Sequence, residues 1–507
     1  YRKVVDLLFR LEESEPAKGH AVEAFQYSER ARARAFLDLM TEARMNVEVG
    51  IAPELLTRKR ELAQRMSEVQ TQLIQAHSEK APASMLADLE RELETADDDY
   101  LTLSREFRGR FPRYAEIQYP EPARLSEIQE MLGERSLLLE YFIGDGGSFL
   151  FAIRKRDYEV ARLPAASRLS EDVVRLREAV ARPERAALAT YISVAKRLYD
   201  QLVLPAKDLA LGATEILVVP DGILHYLPFE LLLKTTTSAG LRADPRSLPY
   251  LVRDHRVSYL PAAGLLPAIT TGEAEASPPM ELLALGDPSY DRTTAPSASA
   301  GETVTRGVFE GSEPWKLRRL AYSRDEVTRI AELYPPGGVD LLLGEQATEP
   351  NIKADGRLSR YRIIHLAAHG LLNESRPQFS GLVVSRPHGP SSEDGLLQAY
   401  EIFNLELRAQ LVVLSACETG LGKEIDGEGI VGLTRAFLYA GASAVVVSLW
   451  KVADASTAEL MVRFHEHLSG ADRSRSEALR RAQLDLIESG PFAHPYYWAP
   501  FVLVGTP

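Results

Sequence analysis

The sequence predicts an α/β protein in which a mostly parallel β-sheet flanked by helices follows an all-helical N-terminal region. From about residue 112 onward, short apolar runs alternate with helical stretches. Parallel strands need crossover connections, which are usually helices, so this alternation indicates a parallel sheet. Before residue 112 the apolar residues recur at helical spacing only. A chain of 507 residues is too long for one core, so about two to four domains are expected.

Residues 1–50 are predicted to be helices of the stacked, repeat-forming type. Small and large apolar residues alternate there at helical spacing, at Ala21, Ala24, Phe25, Ala31, Ala35 and Leu39. This alternation suits close packing between stacked helices. No second copy of the unit is visible in the sequence, so an isolated amphipathic helix pair is the alternative interpretation.

Residues 51–111 are predicted to form an antiparallel coiled-coil hairpin. Apolar residues step by four and three along one helix, stop at a proline turn over 80–84, and resume along a second helix. They are Leu62, Met66, Val69, Leu73 and Ala76, then Leu86, Leu89, Leu93, Ala96, Tyr100, Leu103 and Phe107. A repeat of about 3.5 residues is typical of coiled coils. We interpret this segment as structural or partner-binding.

Two α/β units are predicted after the hairpin, over 112–270 and 271–507. Strands are expected at 137–143, 148–154, 158–163, 215–219, 251–260, 281–285, 339–343, 361–367, 381–385, 411–415, 443–449 and 500–504. Helices are expected at 168–182, 186–204, 323–333, 398–407, 429–440, 454–468 and 474–488. Residues 271–315, at the start of the second unit, are rich in Ser, Thr, Pro, Gly and Ala, and the portion 287–314 is predicted to be a mobile surface loop or linker.

The composition excludes several classes of protein. A net charge of −13 argues against a direct nucleic-acid binder, and no apolar run approaches the ~18 residues of a membrane helix. One cysteine in 507 residues excludes an internal disulfide framework and fits a reducing cytoplasm. The chain begins at Tyr1 without a methionine or a signal-peptide pattern, so it is expected to be part of a longer protein.

Cys417, the only cysteine, follows the buried strand predicted at 411–415. The carboxyl ends of parallel strands are where ligands bind in open α/β sheets. His369 follows the strand at 361–367 and lies 48 residues before Cys417, since 417 − 369 = 48. Adjacent parallel strands would bring both residues to one edge of the sheet. The alternatives are an inert buried thiol and a structural histidine.

Together, the two residues predict a cysteine-peptidase site. An imidazole can generate the reactive thiolate, and the backbone amide of Gly370 can stabilise an oxyanion. The caspase pattern has its histidine about 50 residues upstream of an Ala-Cys pair, and this chain has Ala416-Cys417. His365 and His369, four residues apart, are a poor metal pair because that spacing suits a helix. No metal and no cofactor are therefore expected. His365 is assigned to the core or to a supporting position behind the site residues.

Several motifs resemble the CHAT domain family over residues from about 125 to the end. They are His365–Gly370, Leu414–Gly420, Asp426–Leu433, Ala440–Ala442, Ser448–Asp454 and His494–Phe501. The resemblance implies a caspase-like clan CD cysteine peptidase related to separase, following tetratricopeptide repeats. It implies His369 as the base, Cys417 as the nucleophile, and the amides of Gly370 and Cys417 as oxyanion donors. It also implies that 112–270 is a degenerate caspase-like unit in which His225 is structural.

The substrate pocket is less well defined by the sequence. Leu449–Asp454 is similar to a separase stretch that carries an acidic residue, so Asp454 is a candidate reader of a basic P1 side chain. An N-cap of the following helix is the alternative role for Asp454. Asp426 and Glu428 are candidate pocket residues, or ordinary residues of a solvated loop. Arg318-Arg319 is either a self-processing site or the surface start of a helix.

The sequence thus predicts a cytoplasmic cysteine endopeptidase that cleaves a protein substrate after Arg or Lys. A regulatory protein or complex is expected to bind its N-terminal helices. The alternative is a catalytically silent CHAT scaffold that only assembles protein partners.

Overall fold

The computed structural model describes defined parts of the chain. They are residues 2–14, 18–30, 32, scattered positions between 61 and 99, 124–144, 146–182, 185–235, 243–266, 278–290, 305–306, 317, 319–354, 356–371, 380–387, 393–415, 432–450, 452–470 and 474–507. Every structural statement below concerns these residues.

The described part of the N-terminal region is helical. Helix α1 spans Arg2–Ser14, α2 spans 20–30, and the described positions between 61 and 99 are helical apart from Pro82. In the last segment the Arg65 guanidinium lies 3.0 Å from the Glu92 carboxylate. No described helix combines the length and the apolar content needed to cross a bilayer. The unit boundaries at 50, 111 and 270 stay predictions.

Helices and strands alternate through the rest of the chain. The helices are α3 (Leu125–Met131), α4 (Ala166–Val180), α5 (Arg185–Leu202), α6 (Lys207–Ala210), α7 (Ser323–Glu332), α8 (Glu349–Lys353), α9 (Ala399–Ile402), α10 (Gly432–Tyr439), α11 (Asp454–Leu468), α12 (Arg475–Glu488) and α13 (Pro495–Trp498). The strands are β1 (Ser136–Phe142), β2 (Ser148–Ile153), β3 (Tyr158–Leu163), β4 (Glu215–Val219), β5 (Arg256–Tyr259), β6 (Met280–Gly286), β7 (Thr305–Arg306), β8 (Val339–Leu343), β9 (Tyr361–Leu366), β10 (His369–Leu371), β11 (Gly381–Val383), β12 (Leu396–Gln398), β13 (Leu411–Leu414), β14 (Ala444–Ser448), β15 (Val452–Ala453) and β16 (Phe501–Gly505).

Two predicted elements are shorter in the structure. The strand expected at 251–260 is reduced to β5, because residues Leu251–Arg253 form a 3₁₀ turn. The helix expected at 398–407 is reduced to α9. Beyond it the backbone leaves the helix, and the Leu407 N–H donates to the Ala440 carbonyl at 2.7 Å.

Eleven strands form one sheet, in the order β3-β2-β1-β4-β5-β16-β14-β13-β9-β6-β8. Seven of the ten neighbouring pairs are parallel, which confirms the predicted mostly parallel sheet with flanking helices. The C-terminal strand β16 joins the two halves, because it is parallel to β5 and antiparallel to β14. Both predicted α/β units therefore share one sheet and one contiguous apolar core.

The antiparallel pairing of β16 and β14 reverses the strand direction between the halves. The carboxyl ends of β4 and β5 consequently lie on the opposite edge from those of β9 and β13. His225 follows β4 and lies on that opposite edge, away from His369. Burial, together with Arg32 and Arg435, lowers the pKa of His225 to about 3, so this imidazole is neutral at physiological pH. These observations support a structural role for His225.

The N-terminal helices pack on the half of the sheet formed by β1 to β5, through aromatic rings and charged side chains. The Phe9 ring stacks on Phe149 with centroids 3.5 Å apart, and Phe25 meets Phe151 edge-on at 5.2 Å. Beyond α2, the Arg32 guanidinium donates to the Pro220 carbonyl at 3.0 Å and to the Tyr141 carbonyl. It thereby ties the helical region to the carboxyl ends of β1 and β4.

Arg32 also faces buried carboxylates. It lies 3.9 Å from Glu140 and 3.8 Å from Asp221, and all three side chains are at most 8% exposed. Burial and the neighbouring Glu29 raise the pKa of Glu140 well above its ordinary value, while Arg32 opposes this rise. Arg32 therefore compensates a buried acidic cluster between the helices and the sheet.

We expect Arg32→Met to lower the free energy of unfolding by about 3 kcal/mol, because it leaves buried acids without their cation. Urea denaturation followed by circular dichroism measures this change. Arg30→Met, at an exposed position two residues earlier, is the matched control and should stay within about 1 kcal/mol of the parent. Equal effects of the two substitutions would contradict the assigned role of Arg32.

Candidate active site

The register between β9 and β13 defines the candidate active site. The two strands are parallel neighbours, paired from Ile363 with Leu411 to Leu366 with Leu414. Each pair differs by 48 in residue number, since 411 − 363 = 48 and 414 − 366 = 48. The Ser415 N–H extends the ladder by donating to the Leu366 carbonyl at 3.0 Å.

The same offset of 48 separates His369 from Cys417. Each of the two residues comes three positions after the last paired residue of its strand. The structure describes His369 and Gly370, whereas Cys417, Asp426 and Glu428 lie outside the described residues. The adjacency of the two strands is thus observed, and the pairing of the two side chains stays a prediction.

His369 is held in a small antiparallel sheet of which the sequence predicted one strand, at 381–385. It opens β10, opposite Val383 of β11, and β12 completes the three-stranded sheet. Gly370 is paired with Leu382 in the same ladder. β10 and β12 were not predicted, because strands of three residues carry little periodicity. This sheet fixes the backbone direction of the histidine at the carboxyl end of β9.

Tyr290 contacts His369 and was not singled out by the sequence. Its hydroxyl accepts the His369 backbone N–H at 3.3 Å, and the two ring centroids lie 5.1 Å apart. Tyr290 packs against a small apolar cluster of Leu371, Val383 and Leu396. The signal available in the sequence was its position, four residues after the end of the buried strand β6.

Asp454 is buried at the start of α11, with 1% of its surface exposed. Its Oδ2 accepts the backbone N–H of Tyr322 at 2.9 Å. The N-cap of α11 is Ala453, so the alternative of Asp454 as the N-cap is wrong. As the first helical residue, Asp454 places its carboxylate where the helix dipole favours a negative charge.

Asp287 is a second buried carboxylate near this edge, and sequence reasoning missed it. It directly follows β6, is 4% exposed, and has a φ of 53°. The Arg319 guanidinium donates to both of its oxygens at 2.5 and 2.6 Å, and the Arg324 Nε donates to Oδ2 at 2.7 Å. Burial pushes the pKa of Asp287 upward, but these hydrogen bonds outweigh it and hold the pKa below its ordinary value.

Arg319 lies four residues before the first residue of α7, and its guanidinium contacts Asp287. Self-processing at Arg318-Arg319 stays a prediction. Arg318 lies outside the described residues. The buried strand end Gly286-Asp287-Pro288 was the available signal for Asp287, because acidic residues at the carboxyl ends of parallel strands are common ligand-binding residues.

His365 belongs to a buried hydrogen-bonded chain on one face of the sheet. Its Nε2 lies 2.9 Å from Glu326 and its Nδ1 lies 3.1 Å from His465. The other ring nitrogen of His465 lies 2.8 Å from the Tyr334 hydroxyl. Burial, followed by His365 and Arg362, lowers the pKa of His465 well below its ordinary value. The chain ties β9 to α7 and α11, and supports the assignment of His365 to the core.

Among the described residues, one group of carboxylates has the spacing of a metal site: Glu349, Glu393 and Glu401. The Lys353 ammonium contacts all three, at 2.9 Å from Glu349. The lysine therefore supplies the compensating cation in this structure. Burial raises the pKa of Glu349 to about 7, which fits a desolvated acidic cluster.

A family model for the CHAT domain matches residues 193–506. The chain belongs to the CHAT domain family. This match includes both His369 and Cys417, and it confirms the resemblance inferred from the motifs.

Curated relatives of this CHAT protein include tetratricopeptide repeat protein 28 of Mus musculus and Homo sapiens. The mouse protein is 24% identical over 351 residues and the human protein 23% over 348. Each alignment covers 61% of this chain but 13% of the relative. The matched region thus spans about one eighth of the length of these relatives.

Similar solved structures include a separase–securin complex and a gingipain. The Saccharomyces cerevisiae separase–securin complex gives a TM-score of 0.47 at 12% identity, covering 100% of this chain and 40% of the other. The Arg-specific cysteine proteinase gingipain R gives a TM-score of 0.38 at 12% identity, covering 62% of this chain and 67% of the other.

We expect Tyr290→Phe to lower the alkylation rate of Cys417 by iodoacetamide about fivefold and to shift its pH dependence. The variant keeps the ring beside His369 but removes the acceptor of the His369 N–H, a loss of about 1 kcal/mol. Mass spectrometry of the Cys417 adduct across pH measures both changes. Tyr322→Phe, at a side chain that is 48% exposed, is the control. A lower melting temperature with an unchanged pH profile would contradict a positioning role for Tyr290.

Proposed function

We propose that this CHAT protein is a cysteine endopeptidase with His369 as general base and Cys417 as nucleophile. The observation that carries the proposal is the constant offset of 48 between the paired residues of β9 and β13. Continued for three residues, this offset would bring His369 and Cys417 to neighbouring strand ends. Tyr290 and the β10 ladder support a fixed position for the histidine.

The proposed reaction needs only these two side chains and backbone amides. The His369 imidazole takes the proton of the Cys417 thiol, and the thiolate attacks the carbonyl carbon of the scissile peptide. The oxyanion formed accepts hydrogen bonds from the Gly370 and Cys417 amides. The imidazolium then protonates the leaving amine, which leaves a thioester. Water, deprotonated by the imidazole, hydrolyses that thioester and restores the thiol.

We propose that the enzyme prefers a basic P1 residue, with Asp454 as the principal acid and Asp426 and Glu428 as further pocket residues. A carboxylate shielded from water binds a guanidinium or ammonium group strongly. Asp454 is shielded in this way, and the Tyr322 N–H orients one of its oxygens.

We also propose regulation by a protein or complex that binds the N-terminal helices. Those helices pack on β2 through Phe9 and Phe25, and Arg32 connects them to the strand ends of the degenerate half. A partner that moves them would act on the same sheet that carries the site. The single cysteine supports a reducing compartment such as the cytoplasm.

An arginyl chloromethyl ketone is expected to alkylate Cys417, as measured by peptide mass spectrometry. His369→Ala should lower the rate by roughly 10²- to 10⁴-fold, because the thiolate loses its general base. His467→Ala removes a partly exposed histidine of α11 and is the control. Cys417→Ala should abolish the adduct. No adduct at Cys417, with or without candidate partners, would favour a silent scaffold that only assembles proteins.

Asp454→Asn is expected to lower cleavage after Arg and Lys about tenfold or more relative to cleavage after Leu, because the buried negative charge is lost. A peptide library that varies P1 measures this ratio. Asp426→Asn and Glu428→Gln should each have a smaller effect in the same assay. Asp325→Asn, at an exposed site of α7, is the control. An unchanged preference for basic P1 in Asp454→Asn would reject the role of Asp454.

A further inference from the structure

Close to the candidate active site, the buried carboxylate of Asp287 forms an ion pair with the exposed guanidinium of Arg319. The Asp287 side chain is 4% exposed, whereas that of Arg319 is 53% exposed. The guanidinium makes a two-point contact with the carboxylate, the geometry by which an arginine is recognised in a binding site. The acid is therefore part of the protein interior, and its cation reaches it from the surface.

The strand register brings the end of β6 next to the end of the strand that precedes His369. β6 is the parallel neighbour of β9 on the side away from β13, with Leu285 paired to Leu366. Asp287 comes two residues after Leu285, and His369 comes three residues after Leu366. Tyr290, three residues after Asp287, contacts His369 directly.

The backbone at Asp287 is held in an uncommon conformation. Among the described residues other than glycine, Asp287 has the single positive φ, and its N–H donates to the Ser323 Oγ at 3.0 Å. Asp and Asn adopt this left-handed region more readily than most residues. Backbone strain of this kind is found preferentially at functional sites.

Both buried acids contact residues 319–324, a segment that precedes α7 and includes its first two residues. Asp287 binds it through Arg319, Arg324 and the Ser323 hydroxyl, and Asp454 binds it through the Tyr322 N–H. This segment therefore links Asp287 to the acid proposed for P1. A change at Arg319 acts on an element that both carboxylates contact.

We propose that Asp287 is a binding site for the cationic group of a basic substrate side chain, and that Arg319 occupies it until a substrate displaces this arginine. The identity of the displacing group as substrate rests on the proposed peptidase function. Displacement is favourable because Arg319 is more than half exposed and regains hydration when it leaves, while Arg324 keeps its own contact. Arg319 thereby lowers the affinity for basic groups in the resting protein.

Binding of p-aminobenzamidine, a fluorescent amidinium ligand, to the Cys417→Ala protein tests this proposal without any catalytic step. Arg319→Ala should lower the Kd roughly tenfold, because the ligand no longer competes with an internal guanidinium. Asp287→Asn should raise the Kd at least as much. Asparagine is chosen because it tolerates the positive φ and removes only the charge. In the Asp287→Asn background, adding Arg319→Ala should no longer lower the Kd.

Two controls separate this site from general charge effects. Arg329→Ala removes another arginine of α7, which pairs with Glu459, and Asp340→Asn removes another acid paired with an arginine. Both should leave the Kd unchanged, and melting temperatures verify folding of every variant. No ligand binding, or an equal Kd with and without Arg319, overturns the proposal. Ligand binding that follows Asp287 and Arg319 in a protein whose Cys417 never reacts would instead uphold this site and reject the peptidase function.

Discussion

The pairing of β9 with β13 is the constraint on which the candidate active site depends. Parallel pairing fixes a constant offset between two strands, and a shift of one residue would turn every side chain to the other face. Both strands are buried on both faces, so their register cannot slip without exposing apolar residues or burying polar ones. The ladder pairs residues that are 48 apart, and His369 and Cys417 are also 48 apart. Each of them therefore follows its strand at the same distance.

The strand β16 joins the part of the sheet that contains β9 and β13 to the rest of the sheet. β16 pairs with β14 on one side and with β5 on the other, so the half formed by β1 to β5 and the half with the candidate site become one sheet. Its direction places the strand ends of the two halves on opposite edges. The N-terminal helices pack against the half formed by β1 to β5, where Arg32 faces buried acids. A partner bound there would be mechanically connected to the site through a continuous sheet, not through a flexible linker.

The edge of the sheet that carries His369 also has two buried acids, and residues 319–324 connect these acids. Asp454 and Asp287 lie far apart in sequence but both contact residues 319–324. In a protein interior, a carboxylate needs hydrogen bonds or a cation to remain ionised. Here the Tyr322 N–H donates to Asp454, and the two arginines Arg319 and Arg324 donate to Asp287. Such a carboxylate can exchange one cationic partner for another. This exchange is the physical basis of the proposed recognition of basic side chains.

The sequence by itself determined the alternation of strands and helices, the helical N-terminal region, and the likeness to CHAT domains. Buried strands read as apolar runs, and CHAT motifs such as His365–Gly370 stand at their ends, so His369 and Cys417 could be identified from local pattern and spacing. Only the tertiary structure decided the strand order, the reversal at β16, and the contacts of Tyr290, Asp287 and Arg319. Those contacts join residues separated by tens of positions, and no local periodicity encodes such pairs. Asp454 illustrates the difference: its local pattern suggested an N-cap, whereas the fold directs its carboxylate to the backbone of Tyr322.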